Sequence, residues 1–167
     1  MKKTKKTIAF AVVCALWALA TVLSQPAGVS GPSSTKLPIL AGSRADPQVV
    51  AIVERSCQSC HSSNTEWPLY GRVFPMTLLL EHDIRMAKSH MDLSRWPEYE
   101  ESRKRLLLSE IGVVVRNGSM PPRRYTMLHP EAKLTSEEAN EIYQWTRSNR
   151  KLLKQEPSGL NTSAARE

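Results

Sequence analysis

The chain has 167 residues, 41% of them hydrophobic and only 6% aromatic, which leaves room for one domain of ordinary size and no second core. Its formal charge of +7 includes Lys2, Lys3, Lys5 and Lys6, clustered ahead of an apolar run; subtracting these four leaves +3, scattered among Arg, Lys and Glu. No dense basic stripe remains to track phosphates, which argues against nucleic-acid binding and leaves a mildly basic face able to steer an acidic partner.

Lys2 to Lys6 read as the positive n-region of an export signal, and Ile8 to Leu23 as its uncharged apolar stretch. Ala18-Leu19-Ala20 offers a small-x-small cleavage site, yet the apolar run is only slightly shorter than a membrane span. Residues 1–24 are therefore expected to be a signal peptide or an uncleaved anchor. Both place the rest of the chain outside the cytoplasm, in the periplasm. Cys14 lies within the apolar run rather than after it, so it reads as a small hydrophobe of the leader and not as a lipidation site. Residues 25–45, rich in Pro, Gly and Ser and without periodicity, read as a flexible tether.

Asp46-Pro47 supplies an N-cap and a proline suited to a first helical turn, and Val49, Val50, Ile52 and Val53 follow at spacings that make one apolar face. The predicted helix runs into Cys57-Gln58-Ser59-Cys60-His61, a C-x-x-C-H pattern. One helical turn sets two thiols at a separation that reaches the two vinyl groups on one porphyrin edge, where they add as thioethers. The adjacent imidazole of His61 can then ligate the iron from below. A disulfide, a thioredoxin-like pair and half of a zinc site are the competing readings. No βαβ pattern surrounds the motif and no second Cys or His pair lies nearby, so haem attachment, one group per chain, is the reading adopted.

Residues 62–70 read as a loop, with Trp67 placed either at a haem edge or simply in the core. A second helix is predicted from Pro75 to about Met91, with Met76, Leu79, Leu80 and Ile84 inward. A third is predicted from near Pro97 to a stop before Asn117-Gly118, carrying Leu106, Leu107, Ile111, Val114 and Val115. Thr135-Ser136-Glu137-Glu138 is a capping box that opens a last helix through Ala139, Ile142, Tyr143 and Thr146 to about Leu153. Residues 155–167 read as a disordered tail. The expected fold is all-α: about four helices around one covalent haem, over residues 46–154.

A closed, low-spin iron needs a second axial ligand. The candidates are Met76, Met86, Met91, Met120 and Met127 with His82, His90 and His129. Met120 sits in Asn117-Gly118-Ser119-Met120-Pro121-Pro122, where prolines can hold a thioether on a stiff loop, and it is the preferred ligand. Met76 and Met86 fall on predicted helices, where Met more often fills the core. His129, before Pro130, is the alternative, with hydrogen bonding to a backbone group or a haem propionate as its plainer role.

Taken together, Cys57 to Ser62, Thr65-Glu66-Trp67-Pro68-Leu69-Tyr70, Leu93-Ser94-Arg95-Trp96, Met120 to Pro130 and Ala132-Lys133-Leu134 give residues 49 to 150 a resemblance to the bacterial haem-binding domain family of small c-type cytochromes. The resemblance implies a cytochrome-c-like helical fold, His61 below the haem and Met120 at the family's Met-Pro-Pro position. The chain departs from the family over Pro75 to Leu80, where a Trp is usual and Thr77 and leucines stand here. Trp67, Tyr70 and Trp96 are candidates to line the haem crevice.

The expected function is that of an exported mono-haem cytochrome passing single electrons between redox protein partners, with membrane contact only through residues 8–23 if these are retained. The alternative is a haem enzyme or ligand sensor with an open or labile sixth site, using His129 or Arg123 as a distal acid or base. A third possibility is an assembly role beside a membrane complex.

Overall fold

The computed structural model describes residues 2–25 and 37–155. Among them there is no β-strand, and the order is α1 (Lys2–Leu23), α2 (Pro47–Ser56), α3 (Gln58–His61), α4 (Met76–His90), α5 (Glu101–Arg116), α6 (Arg123–Thr126) and α7 (Ser136–Gln155). Short 3-10 turns lie at Leu69–Arg72, Leu93–Glu98 and Pro130–Ala132. The fold is all-α, as the patterning implies. The chain divides into two compact units, one containing the leader with residues 59–92, the other residues 38–58 with 93 onward.

In the second unit, α5 and α7 form an antiparallel pair. Ile142, Trp145, Thr146 and Asn149 make the buried stripe of α7 at i, i+3, i+4 and i+7. It faces Leu107, Leu108, Gly112 and Val115 of α5. Gly112 marks the closest approach, since a Cβ there would come within 2.9 Å of Thr146 Oγ1. Further along, the Arg150 guanidinium donates to Ser109 Oγ at 3.0 Å and Arg105 to the Leu153 carbonyl at 3.3 Å. The α7 N-terminus is the capping box read from sequence: Thr135 N donates to Glu138 Oε2 at 2.9 Å and Glu138 N to Thr135 Oγ1 at 3.2 Å. Arg55 of α2 pairs with the same Glu138 at 2.7 Å, tying α2 to α7.

Three expectations are corrected in this second unit. Asp46 occupies the N-cap position of α2 in extended geometry but makes no side-chain cap bond. The helix expected from Pro97 starts at Glu101, because residues 93–98 are taken up by a kinked 3-10 turn that buries Leu93 and Trp96. Part of the tether is not a tether: Ile39, Leu40 and Ser43 are buried, and Leu40 N donates to the Leu93 carbonyl at 3.0 Å. That contact spans more than fifty residues, so local composition carries no sign of it. The remainder of the tether, residues 26–36, and the tail from 156 lie outside the described residues.

In the first unit, the turn at 69–72 packs on α4. Gly71 makes this possible, because a Cβ at that position would fall 2.7 Å from Leu80 Cδ2 and 3.3 Å from the Trp67 ring. Thr77 and Ile84 form the buried side of α4. Leu79, expected inward, is 49% exposed and lies on the opposite side of the helix.

Candidate haem-attachment site

Helix α2 delivers the motif. Its last backbone bond, Cys57 N to Val53 O at 2.8 Å, closes the helix, and the single turn α3 then carries Cys60 and His61. Cys57 and Cys60 are both partly buried and are not joined in a disulfide. Among the described residues, no group of three or more His, Cys, Asp or Glu is assembled to hold a metal ion, so the zinc reading gains no further ligand.

His61 is the best-positioned residue of the motif. Its Nδ1 lies 3.2 Å from the Met91 carbonyl oxygen at the end of α4. A carbonyl can only accept, so Nδ1 carries the proton and Nε2 is left as the lone-pair nitrogen. Burial pushes the imidazole below its ordinary value of 6.5; the Met91 carbonyl opposes this, the neighbouring His90 adds to it, and the Ala87 carbonyl and Asp92 weakly oppose it. The ring is therefore neutral at physiological pH. Two thiols one turn apart, followed by a neutral imidazole held by its far nitrogen, are the donor set that a covalently attached haem requires, and the residues fit that group.

Met120 lies just beyond the end of α5. Asn117 closes the helix, Gly118 takes the left-handed conformation at φ +70, and both Ser119 N and Met120 N donate to the Val114 carbonyl, at 3.1 and 3.3 Å. The backbone at Met120 is thus pinned to α5, while the side chain is 41% exposed. Trp67 and Tyr70 are half-buried beside the 69–72 turn, and Trp96 is buried at 2% exposure with Tyr99 edge-on to it. Met76 is half-buried and Met91 buried, while Met86 and Met127 are exposed, as are His82 and His90.

His129 is held by neighbours close to it in the chain. Its ring stacks on Tyr125 with centroids 4.4 Å apart, and Nδ1 lies 3.1 Å from Glu131 Oε1. The 3-10 turn after Pro130 brings this carboxylate back to the ring. Sequence reasoning also missed the residue that orients His61. Its contribution is a backbone carbonyl at the end of α4, which no side-chain motif announces.

The family model described as a haem-binding domain matches residues 18–148 of this chain. Among curated proteins, the chain is 32% identical over 101 residues, 55% of its own length, to cytochrome c peroxidase Ccp of Escherichia coli (strain K12). It spans about a fifth of that relative, 20% of its length. No solved structure matches.

Proposed function

This chain belongs to the haem-binding domain family, and on that premise we propose that it is an exported mono-haem c-type cytochrome that passes single electrons between protein partners in the periplasm. The observation that carries the reading is the His61 ring, neutral, partly buried and held through Nδ1 by the Met91 carbonyl, directly after the thiols of Cys57 and Cys60. In this reading Cys57 and Cys60 would hold one haem as thioethers, and His61 Nε2 and Met120 would be the residues that ligate its iron. The haem contributes a one-electron Fe(II)/Fe(III) couple whose potential depends on its axial ligands and burial.

The chain's own residues then have three tasks. The Met91 carbonyl fixes the rotation of the imidazole and makes it a better donor. The Val114 carbonyl, holding Ser119 and Met120, keeps the thioether on a short leash so that little moves when the oxidation state changes. Trp67 and Tyr70, half-buried, would supply apolar surface that limits water, whereas Trp96, at 2% exposure, is taken up by the core of its own unit.

Two observations favour a second reading. The curated relative bears the name of a peroxidase, and the Met120 side chain is partly exposed. In that case the sixth position would open, and His129 with Glu131 would be the pair able to move a proton near it. A single haem motif in the chain argues for the carrier, since this sequence provides no second site to store another oxidising equivalent.

Ferric spectra of the wild type and Met120→Ala, with carbon monoxide and peroxide challenges, separate the two. The carrier gives a sulfur-to-iron charge-transfer band that the substitution abolishes, with slow reaction towards both reagents. A high-spin wild type that reacts rapidly and is unchanged by Met120→Ala establishes the open site.

A further inference from the structure

Positive charge that is spread along the sequence is gathered by the pairing of α5 with α7. Residues 111–130 hold three Arg and no Asp or Glu, and residues 142–155 hold four Lys or Arg and again no acid. Arg116, the last residue of α5, has its guanidinium over the Tyr143 ring, 4.5 Å from the centroid. Arg147, one turn further along α7, reaches the same ring at 5.7 Å. A guanidinium beside a tyrosine ring is steadied by the ring's negative face and keeps N–H donors to spare.

Both arginines are exposed, and among the described residues neither is paired with a carboxylate, in contrast to Arg55 with Glu138. The Tyr143 hydroxyl is held below its ordinary 10, first by a hydrogen bond from Arg116; burial opposes this, and the charges of Arg147, Arg116 and Arg150 add to the lowering. The field around the ring is therefore positive. A helix macrodipole favours cations in the last turn, which accounts for Arg116 on α5 and Lys154 on α7, but not for Arg147 in the middle of α7.

The same turn of α5 leads to Met120. Ser119 N and Met120 N both donate to the Val114 carbonyl, two residues from Arg116. Val113, three residues before Arg116 and on the same side of the helix, is 59% exposed. Exposed apolar groups bordered by arginines have the make-up of a contact with another protein. The complement of an acid-free border is a surface that bears carboxylates, which the guanidinium fork takes in pairs of hydrogen bonds.

We propose that the end of the α5–α7 pair beside Met120 is the docking surface for an acidic redox protein, whose carboxylates take Arg116 and Arg147 while its apolar centre meets Val113 and Met120. Charge complementarity selects this occupant. The inference rests on the electron-carrier reading and deepens it, since it states the charge of the partner and where on this chain it lands. Attraction between exposed charges is screened by salt over about 10 Å, so the contact forms fast and is weakened by salt, which suits single-electron exchange with frequent change of partner.

The test uses the isotope-labelled full chain with its haem, in a neutral detergent at low ionic strength, titrated with hexaglutamate. NMR follows the arginine Nε–H groups, a signal that the leader lysines do not share. The Arg116 and Arg147 signals and the Val113 and Met120 amides are expected to shift on one saturation curve. Arg116→Gln/Arg147→Gln weakens binding about tenfold, whereas Lys151→Gln/Lys154→Gln, which removes the same charge from the far end of α7, weakens it less than about threefold. All four side chains are exposed, so the substitutions spare the core. Equal weakening by the two double variants, or shifts spread evenly over the arginines, would mean attraction by net charge alone and would overturn the proposal. So would inorganic phosphate bound at the same two arginines as tightly as the peptide, which would make them a plain anion site. The titration reads the surface whatever ligates the iron and the ferric spectrum reads the iron, so failure here is distinct from failure of the carrier reading.

Discussion

Nδ1 of His61 lies 3.2 Å from the carbonyl oxygen of Met91, thirty residues further along the chain. This contact fixes which nitrogen is protonated and therefore which one can meet iron. In the reduced, diamagnetic haem protein the Nδ1 proton of His61 is expected to give a distinct resonance that exchanges slowly with solvent, because it is bonded and partly buried. A resonance lost to rapid exchange, or an imidazole protonated at Nε2 instead, would contradict the assignment.

The pair Thr135 and Glu138 makes a pH prediction. The Glu138 carboxyl is held below its ordinary 4.5 chiefly by the Thr135 backbone N–H; burial opposes this, and Arg55 adds to the lowering. As pH falls, the unfolded chain takes up this proton before the folded one does. The contribution is therefore complete above 4.5 and fades as pH drops towards the lower folded value. Glu138→Gln keeps the capping bond and loses the charge, at a cost of about 0.5 kcal/mol near neutrality. In urea titrations the gap between variant and wild type should close in acid, and a gap constant from about pH 7 to about pH 3 would refute the linkage.

Gly112 has no room for a larger side chain. A Cβ would meet Thr146 Oγ1 at 2.9 Å and the Tyr143 ring at 3.3 Å, so α5 and α7 would have to separate. Gly112→Val is expected to destabilise the chain by about 1–3 kcal/mol, the range for overpacking a fitted interface. Chemical denaturation measures it. Stability equal to the wild type would mean that the two helices do not meet at this point.

The features legible in the sequence are mainly local ones. The C-x-x-C-H spacing, the capping box at Thr135, the stop at Asn117-Gly118 and the stripe of α7 each depend on residues within one or two turns. The 3-10 turn over 93–98 is not legible in this way, because its kink at Arg95 and the burial of Trp96 come from packing rather than from period. Leu79 is placed on the wrong side by the pattern because α4 carries three leucines in a row, and a run of this kind does not say which one faces inward. Ile39 and Leu40 are buried where a bond from Leu40 to Leu93 closes, a contact that only the fold creates. The same holds for the candidate site: the thiols and the imidazole are plain in the sequence, whereas the Met91 carbonyl and the Glu131 partner of His129 emerge only in three dimensions.

The most direct test of the central claim is haem retention under denaturing conditions, measured with the reduced visible spectrum on the wild type and on Cys57→Ser/Cys60→Ser, both produced with the cytochrome c maturation machinery. The account predicts a c-type α band and one haem carried through denaturation by the wild type, with no covalent haem on the double variant. A wild type that matures without covalent haem, or a double variant that retains it, would contradict attachment at Cys57 and Cys60.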